Sequence, residues 1–263
     1  MIHYETDRQE GRLWLKESGF SPDFELKTES VFAQCNGYMG VRAAHPLSLV
    51  NENRGMFLSG AFNRAYEDEV TELVNCPDVT WMGLIVNGEE ICPDRTELVS
   101  CERKLDLMTG ELQINYQFRL SLGRLIQIQN RRFASRDDRH LFVQDFKVSF
   151  LDEKAGEIRL KTGINGQETN SGVSHFNKVD CRVYDRERME MRGELKDNSV
   201  TVLTQCSVKS GTLRTKDFKL CRRGIYESLT VAVDRKTEAV FEKITYMNQM
   251  EDEEKQKERE NIL

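Results

Sequence analysis

What most constrains this chain is a two-residue alternation of apolar and polar side chains, repeated from about residue 80 to 245. Leu112, Ile114, Tyr116 and Phe118 alternate with polar residues across 111–120, after a first run at 96–107 and the turn residues Met108-Thr109-Gly110. Successive side chains of an extended strand point to opposite faces, so this spacing buries one face of a sheet and wets the other. Two such runs joined by a tight Gly-containing turn read as a hairpin. The alternation returns at 125–133, 141–150, 158–164, 179–184, 189–193, 200–208 and 225–233, with a last strand at 238–246. Nowhere between 80 and 240 do apolar residues fall at i, i+3, i+4 and i+7 as a long helix requires. Strand after strand without crossover helices predicts an antiparallel sandwich and not a parallel α/β sheet. No fixed internal period suggests a propeller or solenoid.

At 263 residues the chain is long enough to bury a sizeable core. With 38% hydrophobic and 31% charged residues, it is a folded chain with a well-charged surface. A net charge of -6 and a pI near 5.5 argue against a nucleic-acid partner, which needs a concentrated basic face. The pairs Arg131-Arg132 and Arg222-Arg223 read as solvent-facing strand positions. The first residues lack the n-region and h-region of a signal peptide. No apolar run approaches the ~18 to 20 residues of a membrane span. Seven cysteines, the closest two nine positions apart, offer no C-x-x-C, and Cys181 and Cys206 alternate with apolar neighbours as buried thiols do. The expected compartment is a bacterial-type cytoplasm, with no membrane partner.

Catalytic signatures are missing. No G-x-G occurs, so neither the dinucleotide fingerprint nor the P-loop is available. There is no G-x-S-x-G elbow, and the histidines at 3, 45, 140 and 175 lack zinc-ligand spacing. Acidic clusters such as Glu67-Asp68-Glu69 read as solvated surface, and no spacing sets two carboxylates across a cleft. No metal or organic cofactor is expected.

The informative segment is Glu29-Ser30-Val31-Phe32-Ala33-Gln34-Cys35-Asn36-Gly37-Tyr38-Met39-Gly40-Val41-Arg42. Asn36-Gly37 is a turn dipeptide, because both residues tolerate positive φ. Arg42 places a fork of donors shortly after an aromatic. Two further segments follow, Gly55 to Asn63 and Glu72-Leu73-Val74-Asn75-Cys76-Pro77. In this order and at these separations they resemble the opening of the family 65 glycoside phosphorylases, which act on maltose, trehalose, kojibiose or nigerose. Ser135-Arg136-Asp137-Asp138-Arg139-His140-Leu141 resembles a later stretch of the same family. The resemblance runs from about residue 10 to 247. Family members usually carry Gly after the Val-Arg pair, where this chain has Ala43-Ala44-His45-Pro46.

The resemblance implies an all-β fold, a large antiparallel two-sheet super-sandwich of the galactose mutarotase-like kind, at 1–247. Residues 248–263, rich in helix formers with acids ahead of bases, then read as the beginning of a helical linker to an (α/α)6 catalytic barrel. It further implies a non-catalytic domain that packs on its own barrel, helps form a homodimer and borders the active site. The intact enzyme would cleave an α-linked glucose disaccharide by inverting phosphorolysis, with inorganic phosphate as co-substrate. No catalytic residue falls in this chain on that reading. The loop carrying Asn36, Gly37, Tyr38, Arg42 and His45 is the candidate active-site rim or interface. An exposed apolar patch is expected where the barrel sits. Two alternatives stand beside it. One is a domain of a family 65 hydrolase. The other is an autonomous carbohydrate-binding module, which needs exposed aromatic platforms, whereas Trp81 sits in an apolar run that reads as core.

Overall fold

In a computed structural model the chain is described at residues 3–9, 11–49, 53–64, 66–152, 155–197, 200–211, 213–233 and 238–251. It opens with the hairpin β1 (His3–Gln9) and β2 (Arg12–Ser18), a 3-10 turn at Pro22–Phe24 and the helix α1 (Glu25–Val31). Short strands follow: β3 (Gln34–Cys35), β4 (Met39–Val41), β5 (Met56–Leu58), and the ribbon of β6 (Phe62–Asn63) and β7 (Glu72–Leu73). Next come β8 (Met82–Val86), β9 (Glu89–Ile91), β10 (Glu97–Asp106), β11 (Leu112–Arg119), β12 (Leu125–Ala134) and β13 (Leu141–Phe150). The last seven are β14 (Gly156–Asn165), β15 (Phe176–Tyr184), β16 (Arg188–Leu195), β17 (Val200–Ser210), β18 (Leu213–Cys221), β19 (Gly224–Val233) and β20 (Ala239–Glu251).

Two antiparallel sheets make the body. Ten strands run in the order β1-β2-β10-β11-β12-β13-β20-β17-β16-β15, and five in the order β18-β19-β14-β8-β9. The sandwich expected from the sequence is therefore present, and alternation does the work predicted for it. In β11 the buried Leu112, Ile114, Tyr116 and Phe118 alternate with half-buried Gln113, Asn115, Gln117 and Arg119. In the small sheet, β14 and β19 pack across β16, β17 and β20 of the large one. The remaining inner face, over β12, is covered by β3 and β4. One continuous apolar core joins both halves.

Three sequence expectations are corrected. β20 pairs with β17 as far as Val200↔Glu251, so residues 248–251 belong to the sheet and not to a helical linker; residues 252–263 lie outside the described residues. Eleven rungs of ladder to β17 outweigh the weak helix propensity of these four residues. Of the pair Arg131-Arg132, only Arg131 faces solvent; Arg132 is wholly buried, because it is in phase with Ile126, Ile128 and Ala134. Trp81 is half-buried, unlike its neighbours Met82 and Leu84.

Candidate functional site

Asn36 organises the motif-bearing loop. Its Oδ1 accepts from the backbone N–H of Tyr38 (3.1 Å) and Met39 (2.8 Å), closing the turn between β3 and β4, where Gly37 takes φ of 88°. Asn is the residue that can accept this way and donate outward as well. Its Nδ2 donates to the carbonyls of Ser135 (2.6 Å) and Arg139 (3.0 Å). The first motif is thus fastened directly to the Ser135–Leu141 connection between β12 and β13.

Tyr38 completes the junction. Its hydroxyl donates to Asn248 Oδ1 (3.1 Å) and accepts from the Gln249 N–H (3.0 Å), both on the end of β20. Its ring meets His140 edge-on at 4.8 Å, with the Arg139 guanidinium 5.0 Å from its centroid. His140 also lies against Tyr246 at 5.5 Å and pairs through Nδ1 with Asp138 Oδ1 at 3.0 Å. Burial raises the Tyr38 phenol above its ordinary range, so the hydroxyl stays protonated and donating. The second motif reaches the same place: Ser59 N–H donates to the Tyr38 carbonyl, and Gly60 sits against the Gln249 side chain. The third anchors behind it. Asn75 bonds Met56, Arg54 and Asn170, while buried His175 bridges Glu72 (2.9 Å) and Asn63 (3.3 Å).

Arg42 and His45 have other surroundings. Arg42 pairs with Glu29 Oε2 at 3.2 Å and donates to the Leu26 carbonyl, tying α1 to the loop. His45 is only 1% exposed, so its ring faces no rim. It sits in a buried polar cluster with Glu25, Arg103 and Tyr116. Arg103 can only donate, so His45 Nε2 accepts from it, which leaves the proton on Nδ1 facing the Tyr116 hydroxyl. Burial, then the Arg103 charge, pushes His45 down to about 4, so the ring is neutral at neutral pH. Burial pulls Glu25 upward, but His45 and the paired Arg103 outweigh it and hold it at about 2.

Of the five residues singled out in the sequence, Asn36, Gly37 and Tyr38 form one junction, and Arg42 and His45 serve the seating of α1. Sequence reasoning missed Arg139, His140, Tyr246, Asn248 and Gln249 as its partners. Arg139 and His140 were signalled by the second family-like stretch; the β20 residues carry no local signal.

Two connections carry exposed apolar side chains, among others elsewhere on the surface. Phe24 and Leu26 protrude where the 3-10 turn enters α1, and Phe62, Tyr66 and Val70 protrude along the β6–β7 ribbon. No helix among the described residues is long and apolar enough to cross a membrane, and no group of three or more metal-ligating side chains occurs among them.

A large antiparallel two-sheet β-sandwich with a motif-built junction at one end defines the class of fold. The family model described as glycosyl hydrolase family 65, N-terminal domain, matches residues 15–262, and the chain belongs to that family. Kojibiose phosphorylase of Escherichia coli (strain K12) is 35% identical over 195 residues, covering 74% of this chain and 25% of that protein. Kojibiose phosphorylase of Halothermothrix orenii is 35% identical over 184 residues, 69% of this chain and 23% of its own length. The chain thus spans about a quarter of the length of these relatives. Among solved structures, a putative kojibiose phosphorylase from the human microbiome superposes with a TM-score of 0.82 at 15% identity, covering 90% of this chain and 32% of that one, a likeness of fold.

Proposed function

We propose that this chain is the non-catalytic N-terminal domain of an inverting α-glucoside phosphorylase, one that takes an α-linked glucose disaccharide. The family match across nearly the whole chain carries this reading, together with longer relatives, a quarter of whose length the match covers, that bear the name kojibiose phosphorylase. The domain would pack on its own (α/α)6 barrel, support a homodimer and border the active site, with the described strands through Glu251 as the sandwich. In the intact enzyme a barrel acid protonates the leaving oxygen while inorganic phosphate attacks the anomeric carbon from the opposite face, inverting it. Phosphate thereby takes the place of water and general base. The junction supplies polar groups for such a border: Arg139, His140 and Asp138 are accessible beside Tyr38, and Asn36 holds their connection in place. The Phe62–Val70 ribbon supports the packing role, because protruding apolar residues call for a cover. Seven unpaired thiols suit a reducing, cytoplasmic compartment.

The test is phosphorolysis of kojibiose, maltose, trehalose and nigerose by this chain and by the full-length protein. Activity in the full-length protein alone supports the reading and identifies the sugar. Turnover by the 263-residue chain itself overturns it.

A further inference from the structure

The outer face of the five-stranded sheet carries an aromatic pair with no role in the junction. Trp81, just before β8, and Tyr226 of β19 meet edge to face at 5.9 Å. A cleft of about 330 Å3 opens on one side of the pair and one of about 270 Å3 on the other. The first is within the range of about 300–1,000 Å3 usual for small-molecule sites.

Strand register builds the floor. One row across the sheet reads Lys219, Tyr226, Gly163, and the next reads Asp217, Ser228, Lys161, Gly83. Glycine is used wherever a ring must lie flat. A Cβ on Gly83 would come within 2.8 Å of the Trp81 ring, and one on Gly224 within 2.7 Å of the Tyr226 ring. The polar tips of both rings are engaged at the periphery: Trp81 Nε1 donates to Ser48 Oγ (2.6 Å), and Tyr226 donates to Asn165 Oδ1 (3.2 Å). Asn165 in turn donates to Glu168 (2.8 Å). The rings are thus fixed in place beside the two clefts.

The rim is balanced in charge. Lys161, Lys219 and Asp217 flank one cleft, and Asn165 and Glu168 the other. The side chains of Lys161, Lys219 and Asp217 are exposed and make no ion pair or hydrogen bond among the described residues. Rigid aromatic carbon faces ringed by unspent donors and acceptors of both signs match a neutral ligand that is apolar on its ring faces and rich in hydroxyls at its edge. A phosphorylated or nucleic-acid ligand would need an excess of positive charge. We infer that the Trp81–Tyr226 cleft is a carbohydrate-binding site for a neutral oligosaccharide. The inference does not rest on the proposed phosphorylase activity, because the 263-residue chain is itself the binding partner in the test.

The only other tryptophan, Trp14, is buried, so a Trp14→Phe chain reports on Trp81 alone. Titration with kojibiose and maltose is expected to give a saturable change in its fluorescence at millimolar sugar, and inorganic phosphate none. Calorimetry with the same sugars reads the variants. Trp81→Ala is expected to abolish binding, and Tyr226→Ala to weaken it about tenfold, the effect of losing one aromatic contact. Asp217→Ala lies at an exposed position of an edge strand and keeps the fold, so it tests the rim even where Trp81→Ala fails to fold; a several-fold weakening is expected. Absence of a saturable response to either sugar, or unchanged affinity in Asp217→Ala and Tyr226→Ala chains with native far-UV spectra, overturns the site.

Discussion

Arg103 Nη2 donates to Glu25 Oε1 at 2.7 Å, a charged pair sealed between the first helix and the large sheet. Arg103 has no exposed surface, and Glu17 approaches its Nε at 3.5 Å from the other side. The pair holds α1, which is too short to be stable by propensity, against β10. Taking one partner away strands a buried charge. Glu25→Gln is expected to cost about 3 kcal/mol, while the double change Glu25→Leu with Arg103→Leu costs less than the single one. Urea unfolding of the three chains checks the order.

The same cluster sets an acid limit on stability. His45 titrates near 4 folded, against its ordinary 6.5, so the unfolded chain binds a proton that the folded chain refuses. Stability is full above pH 6.5 and falls as pH drops from 6.5 to 4, by up to roughly 3 kcal/mol. Glu25, held at about 2, adds a loss between 4.5 and 2. Glu17 and Glu29 act in the opposite sense, because burial raises them and their protonation favours the folded state. The difference between the parent chain and His45→Gln isolates the histidine. Gln can accept from Arg103 and donate to Tyr116, so the variant is expected to lose the slope between pH 6.5 and 4 and to show a smaller one below, where Arg103 without the histidine holds Glu25 down. Thermal unfolding across this pH range reads both.

How far the sequence reveals this fold depends on which face of a strand is asked about. Strands with one apolar face, such as β11, were legible from alternation alone. β18 was not: Leu213–Cys221 is an edge strand with no fully buried residue, so no core pattern marks it. Arg103, Arg132 and Lys243 broke the expectation that charge faces water. Each stands in phase with buried neighbours two residues away, Cys101 and Leu105 for Arg103, Asn130 and Ala134 for Arg132, Phe241 and Thr245 for Lys243, and that phase was the available signal. The Asn36-Gly37 turn was legible, whereas its tie to Ser135 and Arg139, about a hundred residues away, exists only in the packed chain. Trp81 read as core because Val79 and Met82 beside it are core; the glycine-lined outer face that exposes it is assembled from three strands.

Asn36 offers a way to separate turn closure from docking. Asn36→Asp keeps the oxygen that accepts from Tyr38 and Met39 but replaces the group that donates to Ser135 and Arg139. Asn36→Ala removes both sets. At about 0.5–1.5 kcal/mol for each net hydrogen bond, the alanine variant, which loses four, is expected to lose roughly 2–6 kcal/mol. The aspartate is expected to fall between it and the parent in chemical denaturation. In the full-length protein, Asn36→Asp is expected to loosen the Arg139–His140 connection and change KM more than thermal stability.

Lys243 joins the two sheets through a single ammonium. From β20 of the large sheet it donates to the Val79 carbonyl (2.6 Å), Thr162 Oγ1 (2.7 Å) and the Gly163 carbonyl (2.8 Å), the last two on β14 of the small sheet. Three donors meet three acceptors, so the buried charge, 1% exposed, is fully solvated by protein. Lys243→Met fits the space of the stem but leaves three acceptors dry. At about 1–3 kcal/mol for each buried group left unsatisfied, a loss of at least about 3 kcal/mol is expected. The loss has a location as well as a size. Amide exchange in β14 around Thr162 and Gly163 is expected to accelerate more than in β11, which lies away from the clamp. Equal acceleration in both strands would show that Lys243 contributes to global stability without acting as a clamp between the sheets.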